Sequence, residues 1–544
     1  MTEHALEKAF RDFPDRFNMA DYFLYERLAE GAGDRVAVRT RNEELSYAQV
    51  AEAANKVGNA LRNLGVRPEE RVLISLHDTP EFVATIFGTL RIGGVVAMVN
   101  PLLPPEELRY YLDYTRAPVL VCASEVAQKI APFALEVRTL EAVLVVGEEI
   151  PKGAVFRSFM EAVLEESPKL EPYPTHRDDP AYWLFTSGTT GRPKANVHLH
   201  HDFPWNCERY AIATVGYNEK DVTLSVPKLF FGYATGSNLF FPFAVGGTAC
   251  LFRERATPEE MFKQIEHFRP KLLVSVPTMI LQMANHPEAR SHDLSCLRAV
   301  FSAGEALPAE LHRKWKETFG VEVLDGIGSA ELFHIYITNR PGDVVPGSLG
   351  RLVPGYRAKI LGPDGHAVKP GEIGTLLVHG DSAAVGYFQA HDKTKETFQG
   401  DWVRSADLFR VDEHGRFWYS GRTDDILKVG GIFVSPIEVE DCLLAHPAVA
   451  ECAVLGYQEE GLEKPIALVV PKGDLQPTAA LARELAQFVK SSIAPYKFPR
   501  RVRFVKDLPK NDRGKVERKK LREALDERAV AEAFDTDPKE NRPA

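Results

Sequence analysis

From about residue 35 to 400, short runs of consecutive apolar and β-branched residues alternate with stretches whose apolar positions recur every three or four residues. The first kind suits strands buried on both faces, the second amphipathic helices. Residues 72–76 read as a strand, 81–90 as a helix and 95–99 as a strand again, and 119–123, 142–146, 271–276 and 299–302 are further strands. Such alternation predicts α/β layers built on mainly parallel sheet.

The pattern changes after about residue 350. Turns such as Gly362-Pro363-Asp364-Gly365 and Asp412-Glu413-His414-Gly415 separate short strands, which predicts a β-rich subdomain over about 350–423. From about 424 a compact α+β pattern follows: a helix at 437–444, strands at 449–457 and 466–471, and a helix at 478–492. The chain from about Asp526 is charged and contains Pro538 and Pro543, so it is expected to fray. The expected organisation is a large N-terminal domain over 1–423, a small α+β domain over 424–530, and a disordered tail over 531–544.

The 544 residues exceed the roughly 250–300 at which one core stops growing, which agrees with more than one domain. A net charge of −10 argues against a general nucleic-acid binder. The six cysteines are scattered with no CxxC pair, as in a reducing compartment. Residues 1–13 contain no apolar signal core, and the most apolar stretch, 93–103, is short of the roughly 20 residues that a span requires. A cytoplasmic protein without a membrane partner is expected.

Candidate chemistry begins at Thr186-Ser187-Gly188-Thr189-Thr190-Gly191-Arg192-Pro193-Lys194, after the apolar run 182–185. Two glycines allow a tight backbone turn, four hydroxyls donate, and Arg192 and Lys194 add positive charge. That set suits a polyphosphate. The P-loop spacing GxxxxGK[ST] is absent.

The segment resembles the signature loop of the adenylate-forming superfamily: acyl- and aryl-CoA synthetases, peptide-synthetase adenylation domains and beetle luciferases. Further motifs follow in that family's order. Ser302-Ala303-Gly304-Glu305-Ala306 resembles its adenine loop. In Asp325-Gly326-Ile327-Gly328-Ser329-Ala330-Glu331, the resemblance gives Asp325 the adenine amino group and Glu331 the Mg²⁺. It gives Asp407 the ribose hydroxyls, Arg422 the ribose or phosphate, and Asp424 the hinge. Lys515, in the run 509–518, matches the catalytic lysine. The resemblance covers roughly residues 20–525.

The family's chemistry explains the residue types. A carboxylate is a poor acyl donor until AMP becomes its leaving group, and an anion attacking ATP meets a charge barrier that cations and aligned donors lower. By resemblance the C-terminal domain then rotates, Lys515 withdraws, and Lys428, Gly430 and Gly431 line a passage for coenzyme A. The implied partners are an aromatic acid, ATP and CoA, with Mg²⁺ as cofactor and room for a homodimer. One departure stands out: the family usually has Thr where this chain has Ala330.

Residues 228–233 and 332–335 look like the acyl pocket of benzoate–CoA ligases. Phe231, Gly232, Tyr233, Gly328, His334 and Ile335 would enclose the ring, and His334 could instead be a core histidine. Those ligases tend to carry Ala at the position of Gly232, so a slightly wider slot for small ring substituents is expected. The run His198-Leu199-His200-His201 lacks further ligands at zinc spacing and is not read as a metal site. Rival readings are a medium-chain acyl-CoA synthetase, an enzyme that loads a carrier protein, and a nucleotide-binding protein without turnover.

Overall fold

The computed structural model describes residues 10–186, 192–422, 427–429, 432–459, 462–473, 475–494, 497–510, 516–525, 529–530 and 532–536. In a seven-stranded sheet, Phe156–Ser158, Ala142–Val146, Val119–Ala123, Arg71–Ser75, Val95–Met98 and Pro180–Thr186 run parallel, and Lys194–Leu199 closes the edge antiparallel. Every residue of Val95–Met98 and Val119–Ala123 is buried, which is why they read as unbroken apolar runs. The helix expected at 81–90 starts one residue earlier, because Pro80 takes its first position, where no N–H is needed. It packs closely on helix Tyr47–Asn63: a Cβ on Gly88 would stand 2.7 Å from the Ala54 carbonyl.

A nine-stranded sheet has a parallel centre of Val36–Arg39, Thr248–Cys250, Val222–Ser225, Leu272–Ser275, Ala299–Ser302 and Val323–Gly328, with antiparallel edges at Glu44–Ser46 and at Ile335–Thr338 and Arg351–Leu352. The motifs at 302–306 and 325–331 emerge at carboxyl ends of these central strands, where open α/β sheets bind ligands. Next comes an antiparallel unit of Arg357–Leu361, Gly374–His379 and Trp402–Val411, the last also flanked by Phe398–Gln399 and Phe417–Arg422. Its Asp-Gly turns place Gly365 and Gly415 at φ +78° and +74°, where a side chain would be strained.

The C-terminal part is α+β as the pattern predicts. Val449–Glu459 pairs antiparallel with Leu462–Pro471, and Arg501–Phe504 runs parallel to the latter. Helices Pro436–Leu444 and Ala479–Ser492 bury Val439, Leu443, Leu485 and Val489 in a core distinct from those of the larger part. The tail differs from expectation. Phe534–Asp535 adds a strand to Arg501–Phe504, with the Phe534 ring 5.8 Å from that of Phe504 and Ala529 and Ala533 buried. A few apolar side chains, Val530 among them, dock it against the C-terminal part. No helix among the described residues is long and apolar enough to cross a membrane.

Candidate active site

Strand Pro180–Thr186 turns back as Lys194–Leu199, with Thr186 opposite Lys194. Ser187, Gly188, Thr189, Thr190 and Gly191, at the tip, lie outside the described residues. The mount of this loop is described. Helix Pro105–Thr115 carries Tyr110 and Tyr114 four residues apart on one face, their rings stacked at 5.4 Å. The Tyr110 hydroxyl donates to the Pro193 carbonyl at 2.8 Å, and the Tyr114 hydroxyl accepts the Ala195 N–H at 3.3 Å. Arg192 lies over the Tyr110 ring at 5.1 Å. Neither tyrosine falls in a motif. The only signal in the sequence is their spacing.

Residues 385–388 run beside Lys194–Leu199: Val197 donates to the Gly386 carbonyl at 3.0 Å and Phe388 to that of Ala195 at 2.9 Å. This pairing delivers Tyr387, another residue missed in the sequence. Its hydroxyl donates to Glu331 Oε1 at 2.7 Å, and the Lys194 ammonium lies 5.9 Å from its ring centre. Burial and the Glu331 charge push the Tyr387 phenol up, so it remains a donor. Lys194, Tyr387 and Glu331 therefore converge. A carboxylate is the kind of oxygen ligand that Mg²⁺ prefers, and the bond from Tyr387 engages one oxygen of Glu331.

Asp325 is buried in Val323–Gly328, and burial drives its carboxyl well above the usual range. Its Oδ1 has no hydrogen-bond partner among the described residues, nor has the buried Tyr233 hydroxyl. Burial raises the Tyr233 phenol well above its ordinary value, and Tyr210, Tyr217 and Asp325 add to the rise. Native interiors seldom leave such atoms unmet, and a bound ligand would satisfy them.

His334 is buried, not exposed. Its ring lies 5.4 Å from Tyr233, 5.3 Å from Tyr210 and 4.7 Å from Phe241, and its Nε2 is 3.0 Å from the Tyr233 carbonyl. Burial lowers its pKa to about 3, so it is neutral, and Nδ1 has no described partner. Two glycines make room: a Cβ on Gly328 would stand 2.4 Å from the His334 carbonyl oxygen, and one on Gly236 2.5 Å from its Cδ2. Between Glu331 and His334, Phe333 adopts φ +67° and ψ −58°, and the His334 N–H closes a γ-turn onto the Leu332 carbonyl at 2.8 Å. Such a conformation costs on the order of 1–3 kcal/mol, and the Phe333 ring stacked on Phe203 holds it.

Ile335 is buried opposite Gly328, with its carbonyl bonded to Asn206 at 3.0 Å. Gly326 and Ile327 pair with Thr338 and Ile337. Phe231 precedes helix Gly232–Thr235 and packs on Phe230. A Cβ on Gly232 would meet Leu184 Cδ2 at 3.1 Å, so an added methyl acts on Leu184 and not on open slot.

Gly304 turns at φ +90°. The Glu305 carboxylate accepts the Thr278 N–H at 3.1 Å and its hydroxyl at 2.8 Å, so this side chain anchors the start of helix Pro277–Asn285. Asp407 stands opposite Arg422, and its Oδ1 accepts the Tyr419 hydroxyl at 3.3 Å. The buried Tyr336 phenol is pushed up by burial, then by Asp407 and Glu331.

Asp424, Gly430, Gly431 and Lys515 lie outside the described residues, as do the side chains of Arg422 and Lys428. The backbone of Lys428 pairs with Phe433. Lys510 and Val516 form an antiparallel bridge.

The histidines of 198–201 are already engaged: His198 and His201 flank Asp202, His201 also faces the Arg177 carbonyl, and His200 accepts the Met19 N–H. A different group, His286, Glu288 and His292, gathers its ligand atoms within 4.8 Å, but the two imidazoles already face Glu259 and Glu266.

A buried, unpartnered carboxyl oxygen on Val323–Gly328, with Lys194, Tyr387 and Glu331 gathered together, describes a ligand-binding enzyme. The AMP-binding enzyme model matches residues 25–388, and the AMP-binding enzyme C-terminal domain model matches 438–515. The chain belongs to the AMP-binding enzyme family. It is 41% identical over 514 residues to a benzoate–CoA ligase of Thauera aromatica, covering 94% of this chain and 97% of that one. It is 39% identical to a 4-hydroxybenzoate–CoA/benzoate–CoA ligase of Rhodopseudomonas palustris, covering 93% and 94%. Among solved structures it resembles an anthranilate CoA ligase in complex with anthranoyl-AMP, at TM-score 0.88 and 39% identity, covering 96% and 99%. It also resembles a benzoate CoA ligase from Burkholderia xenovorans, at TM-score 0.84 and 39% identity, covering 93% and 100%.

Proposed function

We propose that this protein is an AMP-forming aryl–CoA ligase acting on benzoate-type acids. The observation that carries the reading is a pair of buried, unpartnered groups: Asp325 Oδ1 on strand Val323–Gly328, and the Tyr233 hydroxyl, whose ring lies 5.4 Å from that of His334. The relatives named for benzoate and anthranilate support an aromatic acid.

The acid's oxygen attacks the α-phosphorus of ATP. An oxygen–phosphorus bond forms as the bond to pyrophosphate breaks. The loop 186–191 and Lys194 are assigned to the departing phosphates, with Lys515 delivered from the C-terminal domain. Asp325 and the backbone of 304–305 and 326–327 hold the adenine, and Asp407 with Arg422 the ribose. Glu331 would hold Mg²⁺, which would supply charge neutralisation at the phosphates. The ring occupies the space between Phe231–Tyr233, Gly328 and His334–Ile335, where neutral His334 adds no competing charge.

The C-terminal domain then turns about Asp424. The CoA sulfur, entering past Lys428, Gly430 and Gly431, bonds to the acyl carbon as AMP leaves, and the thiol proton passes to solvent. The domain boundary at 423/424 is part of this reading.

Incubation of the purified protein with ATP, CoA and a panel of acids tests it. AMP and aryl-CoA should form with benzoate and its small-substituent relatives. A preference for medium-chain acids, acyl transfer to a carrier protein alone, or no acid-dependent pyrophosphate release would overturn it.

A further inference from the structure

His198 lies on the strand that leaves the phosphate loop, four residues after Lys194. Its side chain is fully buried, as is that of Asp202. Nδ1 is 2.7 Å from Asp202 Oδ2, and Nε2 is 2.7 Å from the Ala330 carbonyl oxygen. A carboxylate and a carbonyl can only accept, so a ring between them is satisfied only when both nitrogens donate. Asp202 is itself fixed: its Oδ2 takes the Leu199 N–H at 3.1 Å, and Oδ1 lies 3.3 Å from His201 Nε2. Phe203 and Phe333 stand edge-on to the imidazole at 5.5 and 6.4 Å, which sets its plane.

The bond to Ala330 therefore joins two elements that face the phosphates from different sheets. One is the strand bearing Lys194. The other is the short helix Ala330–Leu332 bearing Glu331. The acceptor is a backbone carbonyl, so the link does not depend on the side chain at 330, where the family's usual hydroxyl is missing.

We propose that His198 is a positioning residue for adenylation: its ring, held on one side by Asp202, clamps the Ala330 carbonyl on the other and so fixes Glu331 relative to Lys194. The inference rests on the adenylating reading given above. It assigns His198 no contact with substrate, and it concerns the first half-reaction only. Thiolysis of an acyl-adenylate already formed does not use the pyrophosphate side of the site.

Two substitutions separate the clamp from packing. The amide nitrogen of Gln can occupy the place of Nε2 and keep the bond to Ala330. That of Asn can occupy the place of Nδ1 and keep only the bond to Asp202. Aromatic acid-dependent pyrophosphate exchange, Mg·ATP affinity by titration calorimetry, and thiolysis of supplied benzoyl-adenylate are measured on parent, His198→Gln and His198→Asn. Loss of a supporting hydrogen bond around a metal-ligating group costs about 10–100-fold. His198→Asn should lose about that much in exchange, bind Mg·ATP more weakly, and thiolyse at the parental rate, while His198→Gln stays within a few-fold of the parent throughout. Asp202→Ala, which removes the group holding Nδ1 and frees the ring to turn away from Ala330, should follow His198→Asn, and it decides the matter if that variant does not fold. Equal losses in both half-reactions, an unchanged exchange rate in the decisive variant, or His198→Gln falling as far as His198→Asn would overturn the clamp. A parent that releases no pyrophosphate with any aromatic acid overturns the functional reading instead, and the clamp with it.

Discussion

The Tyr387 hydroxyl donates to Glu331 Oε1 at 2.7 Å and orients the carboxylate assigned to the metal. A hydrogen bond to a charged group contributes about 1.5–3 kcal/mol. Tyr387→Phe should therefore lower kcat/KM for ATP by about 10–100-fold and leave the KM for the acid nearly unchanged. Initial rates of pyrophosphate release at varied ATP and varied acid check this. A rise confined to the acid KM would count against the role.

Gly328 is assigned to the acyl side and packs on the backbone of His334. A Cβ there would stand 2.4 Å from the His334 carbonyl oxygen, and backbone cannot swing aside as a side-chain tip can. Gly328→Ala should displace the 334–335 strand and abolish turnover of benzoate at any concentration. Near-ultraviolet circular dichroism with the acid-panel assay reads both effects, and full activity would refute the close approach.

Substrate breadth should run through Leu184. The methyl of Gly232→Ala would press on Leu184 Cδ1 and Cδ2 at 3.2 and 3.1 Å. The kcat/KM ratio of substituted to plain benzoate should fall by up to about tenfold, in the range one methyl commands in an apolar pocket. Adding Leu184→Ala should restore the ratio. An unchanged ratio in the single variant would remove Gly232 from the specificity account.

Stability should carry a pH signature from Asp78. This buried carboxyl accepts the Leu229 N–H at 2.9 Å, and burial raises its pKa to about 6, partly offset by Lys228 and by that bond. In the unfolded chain it titrates near pH 4. Between those values the folded protein holds a proton that the unfolded chain has lost. Its contribution to stability is thus greatest below about pH 4 and declines as pH rises to about 6, by at most about 3 kcal/mol. Asp78→Asn keeps an acceptor for Leu229 and removes the titration. The Tm of the parent minus that of the variant should shrink over this window, and a constant difference would exclude the assignment.

Lys515→Ala should stop pyrophosphate exchange while leaving thiolysis of benzoyl-adenylate intact. Equal rates of adenylate formation in parent and variant would end the mechanistic assignment.

The α/β layering was legible because parallel strands buried on both faces, such as Val119–Ala123, must be apolar throughout. The motif residues were legible as a string. Their supports were not. Tyr110, Tyr114 and Tyr387 act from elements that reach the site only through sheet pairing, and nothing local marks them. Glu305 is a motif residue whose side chain is held by Thr278, which nothing local in the sequence marks. The docked tail around Phe534 escaped notice because a few apolar residues among charges carry no period.

Phe333 separates the residue assigned to the metal from the wall of the ring pocket by a single strained turn. Acid preference and phosphate handling are thus encoded on one short, stiff stretch of backbone. Re-engineering His334 or Ile335 for a bulkier acid will travel back to Glu331. Variants selected for a new substrate should lose turnover in proportion to how far they disturb that turn, and recovery should come from residues packed on Phe333, such as Phe203, more than from the pocket itself.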